Sequence, residues 1–149
     1  MTNTDKYKTM KMSAKLLVEH FYNDVWNRRD AQTAHRILAE DFRFRGSLGP
    51  EKRGISDFLG YVEAVHTALA EYTCVIEDLI HTQDRVAVRM VLRGVHQAEF
   101  FGVPATGRKI EWAGAEFFTT RGEKLAALWV LGDVDSVKQQ LGAVGDTSF

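Results

Sequence analysis

The segment RVAVRMVLRGVH, residues 85–96, indicates a β-strand, because apolar side chains recur along it at every second position. A period of two is that of a β-strand, so these side chains are expected to share one face of a sheet. His96 has the same parity and is predicted to lie on that face. The apolar residues of this alternation are Val86, Val88, Met90 and Leu92.

A second segment, LAALWVLGD, residues 125–133, repeats the pattern and ends in a carboxylate. Trp129, Leu131 and Asp133 have one parity, which predicts that Asp133 faces an apolar environment. Two strands would then each carry a proton-transfer group at their far end. Acid-base chemistry on a small apolar ligand requires such a pair.

Chain length and charge limit the class of protein. With 149 residues and a net charge of -1, the chain is expected to form one domain over residues 13–143 that buries its own core. Residues 1–12 are predicted to be a flexible lead-in and residues 144–149 a tail. A nearly neutral chain with dispersed Lys and Arg argues against nucleic-acid binding. No segment is apolar enough to suggest a membrane span or a signal peptide.

Cysteine and histidine usage argues against a disulfide and a metal site. Cys74 is the only cysteine, and its strand neighbours suggest a buried, inert thiol. The histidines have no ligand spacing, so no metal site is expected. A single reduced thiol fits a cytoplasmic protein.

The hydrophobic period changes once along the chain, from helical to extended. Residues 14–25 follow a plausible N-cap at Ser13, a short second helix includes Ala34, and a third helix covers residues 55–69. Residues 72–82, 85–99, 109–120 and 124–133 are then predicted as strands. Helices followed by an antiparallel meander indicate an α+β fold, with the helices packed on one face of a curved sheet.

Several strands are apolar on both faces, as in residues 126–131. Because the helices can cover only one face, either the sheet closes into a cone or a second subunit covers the other face. Of the two arrangements, a homodimer through the sheet is favoured.

The chain resembles the SnoaL-like polyketide cyclase family, also called ester cyclases, from about residue 14 to 142. The resemblance rests on FYNDVWNRRD, LAEDFRFRG, VIEDLIHTQDRVAVRMVLRGVH, EFFGVPATGRKIEWAG and LWVLGDVDSVKQQLG, in this order. It implies the α+β cone of the nuclear-transport-factor-like superfamily with an internal pocket. It also implies intramolecular aldol cyclisation of a polyketide-like carbonyl compound without a cofactor, with Asp133 as catalytic base and His96 beside it. Where many relatives have histidine this chain has Arg45, which is expected to change the polarity of the pocket.

Each candidate has a structural alternative. Asp133 precedes a short final helix and could cap it, although Asp135 or Ser136 is better placed for that role. His96 could be a hydrogen-bonded residue at a strand end. Glu116 shares a face with Trp112 and is a third candidate group, unless it pairs with Arg89 or Arg93.

The remaining pocket residues follow from the strand faces and the third helix. Together with Trp129 and Arg45 they are Trp112, Glu116, Met90, Leu92, Phe58 and Tyr61. The predicted function is acid-base catalysis on a small, mostly apolar carbonyl compound. The alternatives are a non-catalytic protein that binds a hydrophobic ligand in the same cone, and a hydrolase or dehydratase with Glu116 near Asp133.

Overall fold

The computed structural model describes residues 12–47 and 50–142. The predicted tail, and all of the predicted lead-in except Met12, lie outside these residues. The helices are α1 (Ala14–His20), which continues as a π-helical turn (Phe21–Trp26), α2 (Ala31–Ile37), α3 (Ile55–Ala68) and α4 (Val134–Leu141). The strands are β1 (Leu38–Arg45), β2 (Lys52–Arg53), β3 (Leu69–His81), β4 (Arg85–His96), β5 (Lys109–Arg121) and β6 (Lys124–Gly132).

The strands form one curved sheet in the order β2-β1-β6-β5-β4-β3. All neighbours are antiparallel except β1 and β6, which run parallel. Register shifts interrupt β3 against β4 and β5 against β6. Irregularities of this kind increase the local twist and bend a sheet. The helices followed by a mainly antiparallel sheet confirm the predicted α+β class.

Local sequence signals fix the first helix. The Ser13 hydroxyl accepts a hydrogen bond from the backbone N–H of Leu16 at 3.2 Å, which confirms the predicted N-cap. The helix then widens, because the Asn27 N–H donates to the Tyr22 carbonyl, five residues earlier, at 2.9 Å. Tyr22 and Trp26 of this wider turn are both buried, and their rings contact Phe118 and Tyr72 of the sheet, respectively.

Strand β3 starts earlier than predicted. Leu69, interpreted as the last residue of the third helix, has an extended backbone and is the first residue of β3. Leu38 is likewise extended and begins β1 directly after α2. Strand β4 ends at His96, before the predicted residue 99, because the N–H groups of Gln97 and Ala98 donate to the Ala68 carbonyl. The chain therefore leaves the sheet at His96 to begin a connecting loop.

The two faces of the sheet differ in exposure. The inner face packs against α1 and α3, and its core is a cluster of four phenylalanine rings with centroids 5.2–6.3 Å apart: Phe21, Phe42, Phe58 and Phe118. The outer face exposes several large apolar side chains, and among them Phe117, Trp129 and Leu131 are each about half exposed. Strands that are apolar on both faces thus have one face in the core and one in solvent.

No helix within residues 12–47 and 50–142 is both long enough and apolar enough to span a bilayer.

Candidate active site

A cavity of about 370 Å³ opens between α3, the inner face of the sheet and the loop after β4. Its walls are predominantly apolar and carry aromatic rings from every side. These rings belong to Trp26, Phe44, Tyr61, Tyr72, Phe100, Phe101 and Trp112. A cavity of this size and lining fits a small, flat, mostly apolar molecule.

Glu116 is the buried ionisable group in the wall of this cavity. Burial on β5 alternates, so Gly114, Glu116 and Phe118 point inward while Phe117 points outward. The Glu116 side chain is 4% exposed, and its Oε2 has no hydrogen-bond partner in the described part of the chain. Burial raises its pKa to about 8 because the apolar surroundings disfavour the charged carboxylate. Near neutral pH this carboxyl can therefore both give and take a proton.

The predicted alternative for Glu116, an ion pair with Arg89 or Arg93, is wrong. Arg89 lies 3.1 Å from Glu77, and Arg93 lies 3.8 Å from Glu111. These pairs lie on the exposed outer face, because the alternation of β4 points its arginines away from the cavity.

Tyr61 and Tyr72 place phenolic rings in the cavity wall. Burial raises the pKa of both hydroxyls, so these groups stay neutral over the physiological range. Cys74, next on the inner face of β3, is buried as predicted, and burial raises the pKa of its thiol to about 12. A thiol in this state is not a nucleophile.

His96 lies on the inner face with Met90 and Leu92, as its parity predicts, and is fully buried. It is nevertheless absent from the cavity wall. Its Nδ1 accepts from the Thr106 N–H at 3.2 Å and lies 2.9 Å from the Thr106 hydroxyl. The imidazole therefore holds the loop between β4 and β5 in place, which matches the structural alternative for this residue.

The prediction that Asp133 faces an apolar pocket is wrong. Asp133 is exposed and caps α4, with its Oδ1 accepting from the Ser136 N–H at 3.0 Å. The cap is thus Asp133 itself, and not Asp135 or Ser136. Its neighbours Gly132 and Val134 line the cavity, whereas the Asp133 side chain points to solvent.

A β-bulge explains this error. Thr119 pairs with Ala127 and Thr120 pairs with Leu125, so Ala126 is an extra residue in β6. One extra residue reverses the parity of everything that follows it. Leu125 is therefore buried, whereas Trp129, of the same parity, is 43% exposed on the outer face.

The other predicted pocket residues divide into three groups. Trp112, Leu92 and Tyr61 line the cavity together with Glu116, as predicted. Phe58 and Met90 are fully buried in the core behind the wall. Trp129 and Arg45 lie on the outer face, where the Arg45 guanidinium stacks 4.8 Å from the Trp129 ring and donates to the Val130 carbonyl. Arg45 thus does not set the polarity of the cavity.

Several wall residues were not predicted. Tyr72 shares the parity of Cys74, which the sequence already indicated as buried, so that parity could have identified it. Phe44 alternates with Arg43 and Arg45 in β1 and could have been found in the same way. Phe100 and Phe101 sit in the loop after β4, where no periodic signal exists. Ser47 follows β1 in an equally irregular segment.

Within residues 12–47 and 50–142, no three His, Cys, Asp or Glu side chains converge in a way that could hold a metal ion.

Several solved structures superpose on most of this chain. A candidate SnoaL-like polyketide cyclase from Jannaschia sp. CCS1 superposes with a TM-score of 0.82 at 17% identity, covering 92% of this chain and 96% of the other. IdmH, a candidate polyketide cyclase from Streptomyces antibioticus, gives 0.74 at 26% identity, over 85% and 96% of the two chains. AclR, a candidate hydroxylase from Streptomyces galilaeus, gives 0.76 at 23% identity, over 90% and 87%.

No curated protein sequence is significantly similar to this chain. The family model for SnoaL-like polyketide cyclases, in contrast, matches residues 16–141, which include every residue of the cavity wall. The chain therefore belongs to the SnoaL-like polyketide cyclase family.

Proposed function

We propose that this protein is an acid-base enzyme that acts without a cofactor on a small aromatic carbonyl compound bound in the cavity, with Glu116 as the proton-transfer group. The observation that carries the proposal is a fully buried carboxyl with an unpartnered oxygen in an aromatic cavity. Leaving a buried polar group without a partner is costly, and three such side-chain atoms occur in the described residues: Tyr22 OH, His96 Nε2 and Glu116 Oε2. Of these three residues, Glu116 is the one that lines the cavity, where a ligand can supply the partner. Membership of the cyclase family supports the same chemistry.

Glu116 can serve as base and acid in turn. As a carboxylate it removes a proton from the carbon next to a ketone, and the electron pair of that C–H bond forms an enolate. In an aldol ring closure the enolate carbon attacks a second carbonyl of the same molecule, so that a C–C bond forms and the second carbonyl oxygen becomes an alkoxide. The alkoxide then takes the proton back from Glu116, and the carboxylate is restored. A pKa of about 8 places the carboxyl near the optimum for both steps.

This assignment replaces Asp133 and His96 as the catalytic pair. Asp133 is occupied as a helix cap, and His96 is bound to the loop, so neither side chain reaches the ligand space. The hydrolase or dehydratase alternative required Glu116 to act together with Asp133, and the Asp133 side chain caps α4 and is not part of the cavity wall. The binding-protein alternative uses the same cavity and differs only in predicting no proton transfer.

Deuterium exchange tests the proposal without knowledge of the natural substrate. 2-Tetralone, an aryl-fused ketone with an acidic C–H, would be incubated with the protein in D₂O, and loss of the α-proton signal followed by NMR. We expect exchange above the buffer rate, and a loss of about 10²- to 10⁴-fold in Glu116→Gln. Glu111→Gln, which changes an exposed glutamate of the same strand, serves as the control.

Two results would contradict the proposal. Exchange in the wild-type protein at the buffer rate, with 2-tetralone bound, would indicate a binding protein. Equal exchange in Glu116→Gln and wild type would assign the chemistry to another group.

We further propose that a second copy of this chain covers the outer face of the sheet. Phe117 and Trp129 meet there edge to face with ring centroids 5.9 Å apart, and Leu131 extends the same patch. The neighbouring pairs Glu77–Arg89 and Glu111–Arg93 give this face both signs of charge, which a two-fold related copy can complement.

A further inference from the structure

Two glycines face each other across β5 and β6 at one end of the cavity. Gly114 and Gly132 are direct cross-strand partners, so both missing side chains would have pointed to the same face. A Cβ atom at position 132 would lie 3.0 Å from Ser47 Oγ and 3.4 Å from Trp112 Nε1. The side chains of Ser47 and Trp112 therefore crowd the space over Gly132 and bring two polar atoms together there.

Each polar atom at this space can donate a hydrogen bond. The indole Nε1–H of Trp112 is a donor only. The Ser47 hydroxyl accepts from the Gly132 backbone N–H at 2.6 Å, which leaves its own proton to donate. Because Trp112 can only donate and Ser47 has a proton left to donate, an acceptor atom of a ligand can bind to both.

The carboxyl of Glu116 lies near Gly114, the other glycine of the pair. Its Oε1 lies 3.8 Å from the position that a Cβ of Gly114 would take. Its other oxygen, Oε2, is buried without a partner in the described residues. Leu92 Cδ1 lies closer to that Cβ position, at 3.2 Å, so the carboxyl and Leu92 both border Gly114, the cross-strand partner of Gly132.

We propose that the cavity wall beside Gly132, where Ser47 and Trp112 converge, is a subsite for the carbonyl oxygen of the ligand, with Trp112 Nε1–H and the Ser47 hydroxyl as its donors and Glu116 in the same wall. This inference rests on the proposed function, because it presumes that the cavity binds a carbonyl compound. Donors fixed at a carbonyl oxygen stabilise the charge that develops when Glu116 removes the neighbouring proton. The subsite also selects ketones over hydrocarbons of equal shape.

A pair of probes that differ only in the oxygen tests the subsite. 2-Acetylnaphthalene and 2-isopropylnaphthalene have nearly the same shape, and their affinities would be measured by equilibrium dialysis. We expect wild type to bind the ketone about fivefold or more tightly than the hydrocarbon, as one net hydrogen bond predicts. Trp112→Phe should lose that preference and keep its affinity for the hydrocarbon within about twofold.

Gly132→Ala and Trp129→Phe complete the design. Gly132→Ala places a methyl group in the subsite and should also abolish the ketone preference. Trp129→Phe alters a tryptophan of the outer face and should leave both affinities unchanged. Thermal unfolding monitored by circular dichroism would establish that each variant is folded. If Gly132→Ala does not fold, Trp112→Phe alone tests the subsite.

The outcomes separate the subsite from the proposed function. A ketone preference retained in Trp112→Phe overturns the subsite, and the proposed function stands if Glu116→Gln still abolishes deuterium exchange. Equal losses for both probes in Trp112→Phe also overturn it, since they would reflect lost ring contact. If wild type binds neither probe, the subsite and the proposed function fall together.

Discussion

The inner and outer faces of the sheet are built from alternate residues of the same strands, and they differ in how far their side chains are buried. Phe117 and Phe118 are neighbours on β5, yet Phe118 is fully buried and Phe117 is 45% exposed. Trp112 lines the cavity, whereas Trp129 lies on the outer face against Arg45. Residues of the same type are therefore buried or exposed according to the face of the sheet on which they lie.

The adjacent phenylalanines give the largest expected difference. Phe118→Ala should lower the free energy of unfolding by about 3–5 kcal/mol, because it leaves a cavity in the aromatic cluster. Phe117→Ala should lower it by less than about 1 kcal/mol at protein concentrations at which the chain is monomeric. Urea titrations of both variants measure the difference. Similar losses in the two variants would show that the faces are not distinct.

The inner-face carboxyl should make stability depend on pH. The pKa of Glu116 rises from 4.5 to about 8 on folding, so between these pH values the unfolded chain binds fewer protons than the folded one. Stability therefore falls as pH rises, by about 1.4 kcal/mol per pH unit, or about 3 kcal/mol between pH 5 and pH 7. Glu116→Gln should remove this slope, measured by urea unfolding at each pH. Glu111→Gln, on the outer face, should retain it, and a slope unchanged in Glu116→Gln would contradict the burial.

The outer face should control self-association. Leu131→Asp places a charge in the apolar patch and is expected to weaken the dimer by at least about 2 kcal/mol, or roughly thirtyfold. Size-exclusion chromatography with light scattering would detect the shift to monomers. Leu16→Asp, which changes an exposed leucine of α1, is the control. A monomeric wild-type protein at all concentrations would contradict the proposed interface.

The smallest expected effect concerns Asp133. As an N-cap, its replacement by alanine should cost about 1 kcal/mol of stability and leave deuterium exchange unchanged. Asp135→Ala, in the first turn of the same helix, should cost less than about half of that. Loss of exchange in Asp133→Ala with stability intact would restore Asp133 as the catalytic base.

Sequence patterns identified the fold and part of the cavity. Alternation placed Glu116, Trp112 and Leu92 on one face, and all three line the cavity. The same rule failed for Asp133 because the extra residue Ala126 reverses the parity within β6. A bulge of this kind depends on pairing with β5, and no local signal in LAALWVLGD reveals it.

Periodicity also could not predict which inward-facing residues line the cavity, or which loop residues join them. Met90 and Leu92 share one face of β4, yet Leu92 lines the cavity and Met90 lies behind it. Phe100 and Ser47 come from irregular segments, where the backbone path is set by tertiary contacts. The hydrogen bond from Gly132 to Ser47 joins residues 85 positions apart in the sequence.

The proposed function requires that the buried carboxyl of the inner face titrates near neutral pH. Carbon-detected NMR titration of the glutamate side chains in the ligand-free protein measures this directly, with Glu116→Gln assigning the resonance. The structure predicts a pKa of about 8 for Glu116, caused by burial in the cavity wall. A pKa at or below its ordinary value of 4.5 would mean that Glu116 is hydrated or paired, and would contradict its role as the proton-transfer group.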